Sequence, residues 1–144
     1  MSIHWYPGHM RKASNEMIEA LPLVNVVVEV LDARIPFSSS NPFIQGLCAE
    51  KPYIKLLNKT DLADPEITKQ WQDYFEQQAN TKTLALDLKN YDPSKQIIDL
   101  INKLSPHKEG RNTLAMVTGI PNVGKSSLIN CLAGRHVTKT GDEP

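Results

Sequence analysis

The loop Gly119-Ile120-Pro121-Asn122-Val123-Gly124-Lys125-Ser126 matches the pattern G-x-x-x-x-G-K-[ST] at every required position. The apolar run 113–118 before it predicts a buried strand, and the run 127–133 after it predicts a helix with one apolar face. A loop between a strand and a helix N-terminus presents successive backbone N–H groups to an anion. The order of strand, loop and helix predicts a nucleotide phosphate site near the C-terminus, against the alternative of a chance glycine-rich turn.

The residues of this loop have separate expected roles. Gly119 and Gly124 allow the backbone to turn and approach the phosphates closely. We expect Lys125 to reach the β- and γ-phosphate oxygens, and the Ser126 hydroxyl to ligate the Mg²⁺ that bridges them. The remaining predicted phosphate contacts come from Pro121, Asn122, Val123 and Ser127.

A second pattern, Asn58-Lys59-Thr60-Asp61, follows the apolar run 53–57, so we expect it at the carboxyl end of a strand, where open α/β sheets bind ligands. The Asp61 carboxylate can accept hydrogen bonds from guanine N1–H and the exocyclic amine, a donor pair that adenine lacks. Asn58 is expected to tie this loop to the phosphate loop, and the Lys59 stem to cover the base face. The alternative is an ordinary strand-to-helix turn in which Asp61 or Asp64 is the N-cap.

The order of the two patterns is unusual, because N-K-x-D precedes the phosphate loop by about 60 residues, the reverse of ordinary GTPases. The chain resembles the circularly permuted GTPases. Within that family it is similar to the ribosome biogenesis GTPase A (YlqF-like) subfamily over essentially its whole length. Besides the phosphate loop, the similar segments are 3–10, Asp32-Ala33-Arg34-Ile35-Pro36 with Asn41-Pro42, and 139–144.

This resemblance implies a cytoplasmic GTPase that hydrolyses GTP to GDP and phosphate and acts in late assembly of the large ribosomal subunit. It also implies a D-x-x-G segment, a switch threonine and a C-terminal RNA-contacting domain, none of which we find in residues 1–144. We therefore expect an incomplete domain that turns over slowly by itself and meets the pre-ribosomal particle mainly through the missing C-terminal region. Two alternatives stay open: a nucleotide-sensing RNA- or protein-binding module without significant turnover, and an ATP-using kinase, against which the N-K-x-D pattern argues.

Two residues have competing interpretations in catalysis. Asn122 occupies the place where potassium-stimulated GTPases have an asparagine that helps to hold K⁺ beside the phosphates, and the alternative is a plain loop residue. His9 is a candidate to orient the attacking water, because imidazole both donates and accepts hydrogen bonds. Its alternative role is to cap or pack the first helical turn.

Three other sites are less specific. Asp87 follows the strand that would carry a base-contacting loop in ordinary GTPases, and a loop cap is an equal alternative. Asp32 and Arg34 are expected to pair and shape the loop beside the nucleotide. The aromatic and basic residues around Trp5 could contact ribosomal RNA, but packing of Trp5 and Tyr6 on the sheet is the favoured reading.

Composition agrees with an ordinary globular domain, since the 144 residues carry 22% charged residues and zero formal net charge. This balance gives no support for strong RNA binding by this stretch alone. Cys48 and Cys131 lack C-x-x-C spacing, so we interpret them as reduced packing residues. We find no apolar run of membrane length and no signal peptide, and predict no membrane partner.

We predict an α/β fold of the phosphate-loop NTPase (Rossmann-like) type, with three layers, a parallel sheet and a permuted order, ending before the switch and D-x-x-G strands. A single domain would span 1–144, with a helical extension over 1–22 packed on it. Predicted strands are 24–31, 53–57, 83–86 and 113–118, and predicted helices are 41–49, 65–78 and 94–104. The resemblance places 113–118 beside 24–31, followed by 53–57 and 83–86, and leaves an exposed edge beside 113–118.

Overall fold

The computed structural model describes residues 3–7, 19, 21–36, 46, 51–87, 92–104, 113–119 and 137–139, of which 3–7, 21 and 137–139 are described by backbone alone. The strands are β1 (Ile3–Pro7), β2 (Val26–Asp32), β3 (Tyr53–Asn58), β4 (Thr81–Ala85), β5 (Thr113–Gly119) and β6 (Val137–Lys139). The helices are α1 (Pro65–Glu76) and α2 (Ser94–Leu104), with 3₁₀ turns at Leu21–Leu23 and Thr60–Leu62.

The six described strands form one sheet in the order β4-β3-β2-β5-β1-β6, in which every neighbouring pair is parallel. This confirms the expected succession of the phosphate-loop strand, β2, β3 and β4. The register sets Asp32 opposite Asn58, and Glu29 opposite both Lys55 and Thr118. Side chains in one such row lie on the same face of the sheet.

Helices cover both faces of this sheet. Every residue of β2 is buried, as expected for a central parallel strand that is rich in valine. On one face, Val28 and Val30 cluster with Ile97 and Ile101 of α2. On the other face, the Lys55 ammonium lies 4.7 Å from the centre of the Phe75 ring of α1. The three-layer α/β architecture is therefore confirmed.

The N-terminal segment corrects two expectations. Residues 3–7, expected within a helical extension, form β1, which pairs with β5 from Ile3↔Thr113 to Pro7↔Val117. The edge beside β5, expected to be exposed, is covered by β1, and β6 pairs with β1 in turn. β-Branched and aromatic residues in Ile3-His4-Trp5-Tyr6 favour a strand, and an open edge offers unpaired backbone groups to it.

Parts of the expected architecture are not tested. The predicted helix 41–49 lies outside the described residues apart from Gly46, and the helix after the phosphate loop lies outside them entirely. The single-domain boundary 1–144 stays a prediction. Within the described ranges, no helix combines the length and the hydrophobicity of a membrane span.

Candidate nucleotide-binding site

The candidate site lies at the carboxyl edge of the sheet, where the loops after β2, β3, β4 and β5 emerge on the same side. Because β3 and β5 flank β2, the strand that leads into the N-K-x-D loop lies two strand spacings, or about 10 Å across the sheet, from the strand that ends at Gly119. A ligand lying across this edge would therefore have the N-K-x-D loop at one end and the first residue of the phosphate loop at the other. This is the relationship that the two sequence patterns require.

The N-K-x-D loop is fastened to its neighbours on both sides. The Asn58 carbonyl accepts a hydrogen bond of 2.7 Å from the Ala33 N–H. On the other side the Leu86 carbonyl accepts two hydrogen bonds from Thr60, at 3.1 Å from its backbone N–H and 2.9 Å from its hydroxyl. The loop is therefore bound to the ends of both adjacent strands, which limits its freedom before any ligand binds.

Thr60 is a residue that sequence reasoning missed, since it occupies the unspecified position of the N-K-x-D pattern. The available signal was the frequency with which threonine hydroxyls bond to backbone groups in tight turns. Its bonds to Leu86 also bring the start of the β4 loop, with the buried Asp87, beside the N-K-x-D turn. Whether Asp87 contacts a base or caps the loop stays open.

Asp61 and Asp64 have different surroundings. Asp64 is the N-cap of α1, and its Oδ1 accepts a 2.9 Å hydrogen bond from the Glu66 N–H, with Pro65 at the first helical position. Asp61 lies in the 3₁₀ turn with an exposed side chain, and no described residue donates a hydrogen bond to its carboxylate. The capping role therefore belongs to Asp64, and the Asp61 carboxylate is available for a ligand.

Asp32 and Arg34 form the expected pair at the end of β2. The Arg34 side chain donates from Nε to Asp32 Oδ1 at 3.0 Å and from Nη2 to Oδ2 at 2.6 Å. The Arg34 backbone N–H also donates to Oδ1, at 2.9 Å. These bonds lower the pKa of the Asp32 carboxyl, led by the side-chain hydrogen bond from Arg34 and opposed by burial.

A further contact of Asp32 was not expected from the sequence. Lys59 Nζ lies 3.7 Å from Asp32 Oδ2, so the carboxylate at the end of β2 also faces the lysine of the N-K-x-D loop. The sequence contained a hint of this contact, because Asp32 and Lys59 follow two successive apolar runs that were both predicted to be strands. Only the register between β2 and β3 shows that they meet.

Several predicted site residues lie outside the described residues: His9, Pro121, Asn122, Val123, Gly124, Lys125, Ser126 and Ser127. Their roles stay predictions. Of the phosphate loop, the structure describes Gly119, which ends β5 at the carboxyl edge. No group of three or more His, Cys, Asp or Glu side chains suited to a metal ion occurs in the described part of the chain.

A parallel sheet between two helical layers, with a phosphate-loop strand and an N-K-x-D loop opening on one edge, defines an α/β nucleotide-binding domain. Comparisons with known proteins indicate which family of nucleotide-binding domains this is. The family model described as "50S ribosome-binding GTPase" matches residues 114–144. Ribosome biogenesis GTPase A of Bacillus pumilus is 46% identical over 100% of this chain and 54% of its own length.

Two other relatives are also named as ribosome-related GTPases. Ribosome biogenesis GTPase A of Priestia megaterium is 46% identical over 100% of this chain and 53% of its own length. Mitochondrial ribosome-associated GTPase 1 of Xenopus tropicalis is 39% identical over 94% of this chain and 46% of its own length. The chain belongs to the circularly permuted GTPases related to ribosome biogenesis GTPase A, and it spans about half the length of the curated relatives that it matches.

Proposed function

We propose that this chain forms the guanine-nucleotide site of a GTPase that hydrolyses GTP to GDP and phosphate and acts in late assembly of the large ribosomal subunit. The observation that carries the proposal is the placement of the N-K-x-D loop, which lies two strands from Gly119 at the same edge of a parallel sheet. Its relatives are named as ribosome biogenesis and ribosome-associated GTPases, which supports the process that we assign.

Guanine recognition is assigned to Asn58, Lys59 and Asp61. The Asp61 carboxylate accepts hydrogen bonds from guanine N1–H and its exocyclic amine, and the Lys59 stem lies along the base face. Support comes from the exposed Asp61 side chain and from the bonds that hold this loop to Ala33 and Leu86. Adenine would leave the Asp61 carboxylate without donors, so ATP should bind poorly.

Phosphate binding is assigned to the loop that begins at Gly119. Lys125 would pair with the β- and γ-phosphates, and Ser126 would hold Mg²⁺, the ion that GTPases generally use. Mg²⁺ supplies positive charge that offsets the charge on the transferring phosphoryl group. Asn122 would help to hold K⁺ beside the phosphates, with the same electrostatic benefit.

His9 is proposed to orient the attacking water. Support comes from β1, which ends at Pro7 next to Val117 of the phosphate-loop strand. His9 follows Pro7 by two residues in the sequence. The described end of β1 therefore lies beside the phosphate-loop strand, which supports the proposed role.

The partner and the compartment are also proposals. We assign the pre-ribosomal large subunit, with its rRNA and ribosomal proteins, as the partner, contacted mainly through parts of the protein outside residues 1–144. The relatives that match this chain are about twice as long, which supports an additional contact region. Bacterial relatives named for ribosome biogenesis support action in the cytoplasm.

Titration calorimetry with GDP, GTP and ATP in Mg²⁺, repeated in K⁺ and in Na⁺, tests the site. We expect binding of guanine nucleotides alone, and tighter binding in K⁺ if Asn122 helps to hold that ion. Equal binding of ATP would contradict guanine recognition. Turnover is tested in the complete protein, with and without ribosomal particles, and its absence in both conditions would instead support a binding module without significant turnover.

A further inference from the structure

Lys59 has a backbone conformation that its residue type disfavours. Its φ of 67° and ψ of 36° lie in the left-handed helical region, where a Cβ comes too close to the following carbonyl oxygen. Residues stay in such conformations when their surroundings impose them. The contacts around Lys59 should therefore reveal what determines the shape of the N-K-x-D loop.

The Asp32 carboxylate is one such contact. Lys59 Nζ lies 3.7 Å from Asp32 Oδ2, and the two side chains are 29% and 5% exposed, so this attraction is partly shielded from water. The backbones are held together as well, by the register of Asp32 with Asn58 and by the bond from the Ala33 N–H to the Asn58 carbonyl. The end of β2 thus supports the turn at Lys59 from one side.

Asp32 has a second cationic partner in Arg34. The guanidinium donates to both oxygens of this carboxylate, although its side chain is 47% exposed and could adopt other positions. Asp61 lies at the same edge of the sheet as Arg34, because Asp32 is opposite Asn58 at the ends of β2 and β3, and the two residues follow these strand ends by two and three positions. The pKa of the Arg34 guanidinium is raised first by the hydrogen bond to Asp32 and, more weakly, by the charge of Asp61. Arg34 therefore lies within electrostatic reach of two carboxylates and is hydrogen-bonded to one of them.

We propose that Asp32 is a positioning residue for guanine recognition, because it anchors Lys59 at the base-reading loop and keeps Arg34 away from the Asp61 carboxylate. This inference rests on the proposed function. With Asp32 intact, Asp61 keeps its acceptor oxygens for the guanine N1–H and exocyclic amine. Without the Asp32 charge, Lys59 loses its anchor, and the freed guanidinium pairs with Asp61 and competes with the base.

The test compares the affinities of GDP and inosine diphosphate for the wild-type chain, Asp32→Asn, Arg34→Gln and the double variant. Inosine lacks the exocyclic amine, so the ratio of the two affinities reports how well Asp61 is engaged. We expect Asp32→Asn to weaken GDP binding by about 10-fold, close to the loss of one charge-assisted contact, and to lower the ratio. Adding Arg34→Gln should restore part of the GDP affinity.

The matched control is Asp73→Asn, which removes an exposed carboxylate from its pair with Lys69 on α1. It should leave both affinities unchanged. If the wild-type chain prefers GDP, two results overturn this inference alone. One is an Asp32→Asn variant with an unchanged ratio of GDP to inosine diphosphate affinity, and the other is a double variant that does not recover GDP affinity. A wild-type chain without guanine preference overturns the proposed function and the inference with it.

If circular dichroism shows that Asp32→Asn is unfolded, Lys59→Gln tests the same contact at a more exposed position. The expected result is again a lower ratio of GDP to inosine diphosphate affinity. An unchanged ratio overturns the inference.

Discussion

Glu29 of β2 and Lys55 of β3 form an ion pair in the interior of the sheet, with 2.7 Å between Oε1 and Nζ and both side chains 0% exposed. The lysine also faces two aromatic rings, with its Nζ 5.2 Å from the centre of Tyr53 and 4.7 Å from that of Phe75. The charges in the centre of these two apolar strands therefore balance each other, and they link the sheet to α1.

Lys55→Met should destabilise the chain by about 3–5 kcal/mol, because it leaves the Glu29 carboxylate buried without its cation. Urea denaturation followed by circular dichroism measures this loss. The double variant Glu29→Met/Lys55→Met should be more stable than Lys55→Met, and Lys82→Met, at an exposed position of β4, should be close to wild type. A single variant as stable as the wild type would contradict the account of this pair.

Asp61→Asn should weaken GDP binding and admit xanthosine diphosphate. An amide can donate a hydrogen bond to the 2-oxo group of xanthine, whereas a carboxylate can only accept. Calorimetric titration with each nucleotide measures the loss of GDP affinity and the gain of xanthosine diphosphate affinity. Asp64→Asn is the matched control and should keep the preference for GDP, because asparagine caps helices about as well as aspartate. The same shift in both variants would contradict base reading by Asp61.

Acid should destabilise the chain partly through Asp32. Its pKa in the folded chain is lowered from the ordinary value of 3.8, first by the Arg34 hydrogen bond, so its contribution is fully present above that value. The contribution is lost as the pH falls through the lower folded-state pKa. Urea titrations from pH 6 to about pH 2 should show a shallower acid decline for Asp32→Asn than for wild type. If the free energy of unfolding falls equally with pH in both proteins, Asp32 does not contribute to the acid destabilisation.

Thr60→Val should cost about 1 kcal/mol of stability and weaken GDP binding modestly, because it removes the hydroxyl donor to the Leu86 carbonyl. Thr60→Ser keeps the donor and is the control. Thermal denaturation and calorimetry measure the two effects. A Thr60→Val variant as stable as the wild type, beside a destabilised Thr60→Ser variant, would show that the methyl group and not the hydroxyl holds the loop.

His9→Ala, made in the complete protein, should leave GTP affinity intact and lower turnover. The reason is that a water-orienting imidazole acts in the reaction and not in nucleotide binding. Phosphate release and equilibrium titration measure the two quantities separately. A loss of affinity instead of turnover would contradict the catalytic role.

Much of the fold could be read from local pattern. The apolar runs that became β2 and β3 are dense in valine, leucine and isoleucine, and α2 was placed at its observed bounds, Ser94–Leu104. Strand ends were less certain: β4 spans Thr81–Ala85 instead of 83–86, because its buried and exposed residues alternate irregularly. β1 was missed, since Pro7 and Gly8 favour a helix start, whereas pairing with β5 is not visible in the segment itself.

The patterns that this protein carries, and their order, could be read from local segments, because hydrophobic periodicity and the chemistry of the N-K-x-D and phosphate loops are local properties of the chain. Which distant side chains come into contact depends on the packing of the whole fold. The contact of Lys59 with Asp32 and the burial of Glu29 against Lys55 both depend on the register between β2 and β3. Register is set by the fit of whole strands, and no short segment contains that information.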